Sequence, residues 1–199
     1  MNKFLLFFIA FFLLTSCIQS RKQTKHNIKE VDVCVYGGTS AGVVAAYSAK
    51  MMGKTVLLIE PGKYLGGMTT GGLGSTDIGN KYAVTGLARL FYRRVGEHYG
   101  QFEQWMFPPS VATKAMMRFI NDAQVDVLYQ HRIISADKDG TRIAGIQVEH
   151  AAKEEADIVT IKAKQFIDCS YEGDLMAKSG ISYATGREDS KQYLSLIHI

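Results

Sequence analysis

Hydrophobic positions along the chain form two kinds of run. Some are short unbroken blocks rich in β-branched residues; others are longer stretches with apolar residues every three or four positions. The blocks "VDVCVY" (31–36) and "KTVLLIE" ending at Glu60 predict buried strands of a parallel sheet, and "VDVLYQ" (125–130) predicts a third strand. Three further β-like runs, 131–136, 142–149 and 157–163, the first two separated by the turn "DKDG", predict an antiparallel meander. "KQFIDCS" (164–170) predicts a last apolar strand, leading into a loop and the start of a helix in "YEGDLMAKSG". Helices are predicted from Ser40 or Ala41 to about Met52 with Gly53 as the stop, from about Val84 to Tyr99 before Gly100, and from Ser110 to about Ala123, with Ser110 a capping candidate after Pro108 and Pro109.

Two stretches break this rhythm. Seven glycines fall between Gly62 and Gly79, too many for a regular element, so the segment reads as a loop whose backbone turns sharply or approaches something closely. At the chain start, the apolar run Phe4 to Leu14 is eleven residues long. Spanning a bilayer takes about 20, so the run reads as the core of a secretory signal. Leu14-Thr15-Ser16-Cys17 looks like a bacterial lipoprotein cleavage box, in which Cys17 is lipidated and becomes the mature N-terminus. The polar stretch that follows predicts a division into signal peptide (1–17), basic linker (18–30), one domain (31–193) and a short tail (194–199).

Composition fits that division. At 199 residues and 47% apolar content, the chain has material for one globular domain. Its net charge of +4 becomes +3 once Lys3 leaves with the signal, and Arg21, Lys22, Lys25 and Lys29 sit in the linker. Such a basic tether suits either an anionic membrane surface or plain solvation, the lipid anchor implies a membrane partner, and no nucleic-acid partner is expected. Cys34 and Cys169 lie in apolar runs and are expected as buried thiols. With no C-x-x-C and no Cys/His cluster, neither a metal site nor an iron–sulfur cluster is expected from this chain alone.

The chemistry gathers at "VDVCVYGGTSAG". A strand, a glycine turn and a helix start bring backbone N–H groups and the positive end of a helix dipole to one point, which suits a pyrophosphate. Gly37 allows the tight turn, Gly42 allows the helix to pack closely, and Gly38, Ser40 and Ala41 complete the loop. Thr39 stands where G-x-G-x-x-G has its middle glycine, so the loop alone leaves a cofactor site and a plain α/β core both open. Small residues Gly42, Ala45, Ala46 and Ala49 on one helix face serve either reading. Glu60 adds the second element: eighteen residues after Gly42, it ends the next strand, where an acid accepts hydrogen bonds from ribose hydroxyls. Together they point to a dinucleotide, FAD or NAD(P).

The order of strand, helix, strand, glycine loop, helix, strand, meander and strand resembles the FAD-binding domain of glutathione-reductase-like flavoproteins. "LGGMTTGGLGSTDIG", "PSVATKAMMRFI" and "FIDCSYEGDLMAKSG" resemble an FAD-dependent oxidoreductase family that contains many exported bacterial proteins. The resemblance implies a Rossmann-like α/β domain with a parallel sheet, flanking helices and the three-stranded meander, and FAD as cofactor. It implies that Gly66, Gly67, Met68 and Thr69 approach the pyrophosphate or flavin, that Asp168, Gly173 and Asp174 form a second contact, and that the backbone near Ile133 lies against the adenine. Two positions depart from the family pattern: Thr39, and Pro108, where the family often has an acid before the proline. The glycine loop also lacks the C-x-x-x-x-C pair of the disulfide reductases, which excludes exchange through such a pair.

The family is considerably longer, and "LSLIHI" at the end fits no continuation of its pattern, so the expectation is an N-terminal fragment with an artefactual tail. The expected function is an exported, lipid-anchored FAD-dependent oxidoreductase moving hydride or electrons through flavin. The alternatives are a non-catalytic dinucleotide-binding surface lipoprotein and an NAD(P)-binding oxidoreductase. Substrate, electron acceptor and catalytic acid or base are not legible.

Overall fold

The computed structural model describes residues 27–153 and 158–186. The signal, Cys17, most of the linker and the tail lie outside the described residues. Among the described residues six strands, β1 (Asn27–Tyr36), β2 (Val56–Glu60), β3 (Asp126–Tyr129), β4 (His131–Asp139), β5 (Arg142–His150) and β6 (Val159–Asp168), form one sheet in the order β3-β2-β1-β6-β5-β4. β3, β2, β1 and β6 are parallel; β4, β5 and β6 form the antiparallel meander. The helices are α1 (Ser40–Met51), the single turn α2 (Met68–Gly71), α3 (Gly86–His98), α4 (Pro109–Ala123) and α5 (Asp174–Lys178). This is the mixed α/β architecture that the alternation of apolar blocks implies. Among the described residues, no helix is long and apolar enough to cross a membrane.

The blocks form buried strands because alternate residues serve two cores. Val33 and Val35 of β1 and Val56 and Leu58 of β2 face the helices, where they meet Val43, Ala46, Ala112, Met116 and Phe119. Cys34, Tyr36, Leu57 and Ile59 face the other way and meet Ile133, Ile146, Val148 and Leu175. The meander thus folds over the face of the sheet opposite α1, α3 and α4, and Leu175 of α5 packs into the same core. Ile133 of β4, an edge strand in the sheet order, donates its N–H to the Tyr36 hydroxyl at 3.1 Å. α4 buries Val111, Ala112, Ala115, Met116, Phe119, Ile120 and Ala123, a stripe at helical spacing. Full burial of a side chain such as Phe119 contributes about 1.5–3 kcal/mol.

Several boundaries differ from the expectations, each for a local reason. β1 begins at Asn27, inside the expected linker, because Asn27 to Val31 pair with Val159 to Ala163. The third meander run and the last apolar strand are one strand: β6 pairs antiparallel with β5 through Val159 to Lys162 while pairing parallel with β1 along its length. β4 continues through "DKD", leaving only Gly140 and Thr141 as the turn, with Gly140 at φ +60°. Helix α4 starts at Pro109 rather than Ser110, because a proline at the first helical position gives up no hydrogen bond. Part of the glycine segment is helical, as α2.

Candidate functional site: the crevice at the strand ends

Register aligns Tyr36 with Ile59 and Asp168, and Glu60 with Tyr129. Glu60 and Asp168 therefore flank the turn that joins β1 to α1. They do so at the carboxyl ends of the parallel strands, where open α/β sheets hold their ligands.

The turn is packed too tightly for side chains at its glycines. Gly37 has φ +97°, and a Cβ on it would lie 2.5 Å from the Ser170 nitrogen; a Cβ on Gly42 would lie 1.9 Å from the Gly37 carbonyl oxygen. Thr39 fits because its side chain turns into the fold. Its hydroxyl donates to the Cys169 carbonyl at 2.8 Å and accepts from the Gly42 N–H at 3.3 Å, capping α1 and tying the turn to the end of β6. The glycine missing from the fingerprint is replaced by a cap, and the α1 N-terminus, with Ser40 and Ala41 as its first residues, opens at the strand ends.

Glu60 is held from two sides. One carboxylate oxygen accepts the Gly38 N–H at 2.7 Å and the other the Gly62 N–H at 2.5 Å. Each oxygen keeps acceptor capacity for a further donor. The carboxylates also mark their surroundings. Burial pushes the Tyr36 phenol above its ordinary value, the Ile133 N–H pulls it back, and the charges of Asp174, Asp168 and Glu60 push it further. Burial, then Glu60, raises Tyr129.

The glycine loop lies against this turn. Gly66 N–H donates to the Gly38 carbonyl at 2.7 Å, and the Ser40 hydroxyl donates to the Gly66 carbonyl at 2.9 Å, so the Thr69 hydroxyl supplies the proton of the 2.7 Å Ser40–Thr69 bond. Thr70 donates to the Leu65 carbonyl at 2.6 Å, closing the loop on itself. Gly66 and Gly67 have φ +99° and +53°, and Met68 is exposed. On the opposite wall, Asp168 accepts from the Ser170 N–H and hydroxyl at 3.0 and 2.6 Å and from the Met176 N–H at 2.9 Å. Ser170 in turn accepts the Asp174 N–H at 2.9 Å, and Gly173, left-handed at φ +69°, starts α5 with Asp174 as its first residue.

The structure therefore brings together Gly37, Gly38, Thr39, Ser40, Gly42, Glu60, Gly66, Thr69 and Asp168, linked by hydrogen bonds or close backbone approach. Gly67 and Met68 lie against Tyr171 of the turn after β6, and Gly173 and Asp174 stand at the end of that turn. Ile133 sits with its N–H committed to Tyr36 and its side chain buried. Pro108 caps α4 from the loop that meets the glycine segment where Phe107 N–H donates to the Gly74 carbonyl at 2.9 Å. Sequence reasoning missed Tyr36, Ser170 and Tyr171. Ser170 and Tyr171 stand inside the quoted motif "FIDCSYEGDL", and the hydroxyl of each is the signal that was available. Cys34 is fully buried, its thiol pushed up to about 12 by burial; Cys169 is half-buried.

These residues fit a dinucleotide. The turn excludes side chains at Gly37 and Gly42, the helix end offers N–H groups and positive potential, and a fixed carboxylate with spare acceptor capacity stands at the end of β2. A profile of the family described as FAD dependent oxidoreductase matches residues 32–197. None of the curated protein sequences matches the chain. Among solved structures, the chain is similar to a flavoprotein/dehydrogenase from Cytophaga hutchinsonii, with 18% identity, a TM-score of 0.59, and coverage of 80% of this chain and 44% of that one. A geranylgeranyl bacteriochlorophyll reductase-like protein from Thermoplasma acidophilum has 20% identity and a TM-score of 0.53, covering 78% of this chain and 43% of that one. The glycerol-3-phosphate dehydrogenase from Bacillus halodurans, complexed with FAD, has 14% identity and a TM-score of 0.55, covering 75% and 36%. At such identities the likeness is one of fold, and the chain spans less than half the length of each of these three. The profile match over most of the chain carries the assignment: the chain belongs to the FAD dependent oxidoreductase family, and FAD is its cofactor.

Proposed function

We propose that this chain supplies the FAD-binding portion of an exported, lipid-anchored oxidoreductase that passes hydride or electrons from a small-molecule substrate to a separate acceptor. The observation that carries the reading is Glu60, held at the end of β2 by Gly38 and Gly62 beside the glycine turn. When bound, FAD supplies the redox chemistry; the chain supplies binding and orientation. Glu60 would accept hydrogen bonds from the ribose hydroxyls, the α1 N-terminus with Gly38 to Ala41 would receive the pyrophosphate, and Gly66 to Thr69 and Asp174 would line the remaining length. Substrate binding falls to residues beyond this portion, in keeping with the share of each neighbour's chain that the likeness covers. Lipidation at Cys17 places the protein at the cell envelope, a reading supported by the sequence Leu14 to Cys17 alone.

The test is direct. Purified protein shows flavin absorbance that denaturation releases, and FAD competes where NADH does not. A colourless protein that gains no flavin on incubation overturns the reading. FAD retention without turnover of any redox acceptor would instead mark a non-catalytic binding protein. For the anchor, labelled fatty acid enters the wild-type chain in a lipoprotein-processing host and not Cys17→Ala; equal labelling of both removes Cys17.

A further inference from the structure

Tyr171 spans the gap between the two walls of the crevice. It belongs to the turn between β6 and α5, yet its hydroxyl accepts the Met68 N–H at 2.7 Å, across 103 positions of sequence. The ring lies directly on the glycine loop: a Cβ on Gly67 would stand 2.1 Å from the Tyr171 hydroxyl oxygen and 2.9 Å from the ring carbon that bears it. Even so, the side chain buries little. Tyr171 is 57% exposed and Met68 54%, so apolar burial does not explain why the phenol stays there.

From these contacts we infer that Tyr171 is a positioning residue for the bound cofactor, a strap that sets the distance between the glycine loop and the turn carrying Asp168 and Asp174. The inference rests on the FAD reading above. Both anchor points of the strap are stiff. The turn is fixed by Asp168, which holds Ser170 and Met176, and by Ser170, which holds Asp174. The loop is fixed at its near end, where Gly66 bonds to Gly38 and Ser40. Beyond Gly66, the exposed Met68 N–H has no tie to the opposite wall among the described residues other than Tyr171. A rigid link between two preformed walls holds a ligand's contacts in register and lowers the ordering cost of binding. Because the phenol oxygen already accepts from Met68, its own proton is left for solvent or for an acceptor atom of a ligand.

The experiment compares wild type, Tyr171→Phe and Gly67→Ala. Tyr171→Phe keeps the ring and deletes the bond; it should release FAD about tenfold faster, because the loop must then be ordered as FAD binds. It should also speed amide exchange at Met68 and alter the visible circular dichroism of the bound flavin, while the unfolding midpoint of the FAD-free protein stays at the wild-type value. Gly67→Ala, which pushes the ring off the loop, should also release FAD faster, but with φ +53° at that position it should melt below wild type without FAD, so Tyr171→Phe decides the matter. If wild type binds FAD and Tyr171→Phe matches it in release rate, Met68 exchange and flavin dichroism, the strap is overturned while the cofactor reading stands. If wild type takes up no FAD, that reading falls and this inference with it.

Discussion

The Thr39 hydroxyl donates to the Cys169 carbonyl at 2.8 Å, joining positions 130 apart in sequence. The same oxygen caps α1, so one side chain replaces what a glycine would leave open and fastens the turn to β6. Thr39→Val keeps the shape and removes both bonds; it should lower the unfolding free energy by about 1–2 kcal/mol, with Thr39→Ser near wild type. Thr39→Gly restores G-x-G-x-x-G and should not raise FAD affinity. Urea titration checks the first claim and flavin fluorescence titration the second; an unchanged urea midpoint for Thr39→Val would contradict the double role.

Glu60→Gln tests more than ribose binding. Both carboxylate oxygens accept backbone N–H groups, and an amide offers only one acceptor oxygen. The amide nitrogen would then face the N–H of Gly38 or Gly62. The variant should therefore lose roughly 1–3 kcal/mol of stability without FAD and show weaker FAD binding as well. Melting curves with and without FAD separate the two effects. A variant that melts like wild type and binds FAD normally removes Glu60 from the site.

How much was legible follows from where each partner lies. β1, β2 and α1 could be read because their patterns are local: unbroken blocks for buried strands, small residues at helical spacing for α1; β3 was legible as a strand, although it lies half-buried at the edge of the sheet. β6 read as two runs because Lys162 and Lys164 interrupt its apolar pattern; these residues reach solvent while the backbone pairs on through both halves. The role of Thr39 was not legible, since its acceptor belongs to Cys169, nor was that of Tyr171, whose donor is Met68. Glu60 was legible because strand-end position and spacing are local facts, but its two backbone donors were not. The site's parts were thus visible, and the ties between them were not.

The glycines of the site are not equivalent. At Gly42 a Cβ would meet the Gly37 carbonyl carbon and oxygen, at 3.0 and 1.9 Å, and backbone cannot move aside as a side-chain tip can. At Gly71, in α2, nothing lies within 4 Å and φ is not positive. Gly42→Ala should separate α1 from β1, with low soluble yield or a strongly reduced melting temperature. Gly71→Ala should fold and melt within about 1 kcal/mol of wild type. Thermal melts of the pair check this, and a normally folded Gly42→Ala would contradict the tight turn.

At the other end of the strands, Asp32 gives the fold a defined pH response. One of its oxygens accepts from Lys164 Nζ at 2.6 Å; the other accepts from the Thr55 N–H and hydroxyl at 2.9 and 2.8 Å. The Lys164 bond first, then those from Thr55, hold the carboxyl well below the usual carboxylate range. The folded chain thus binds this proton less readily than the unfolded chain. The ionised group contributes stability that is fully present above the unfolded-state value, about pH 4, and is lost as pH falls below it toward the folded-state value. Asp32→Asn should melt below wild type at neutral pH, and the gap should narrow steadily as the solution is taken below about pH 4. Because Asp32 stands away from the crevice, FAD affinity at neutral pH should not change. A gap that stays constant across the acid range would show that Asp32 stabilises the fold by shape and not by charge.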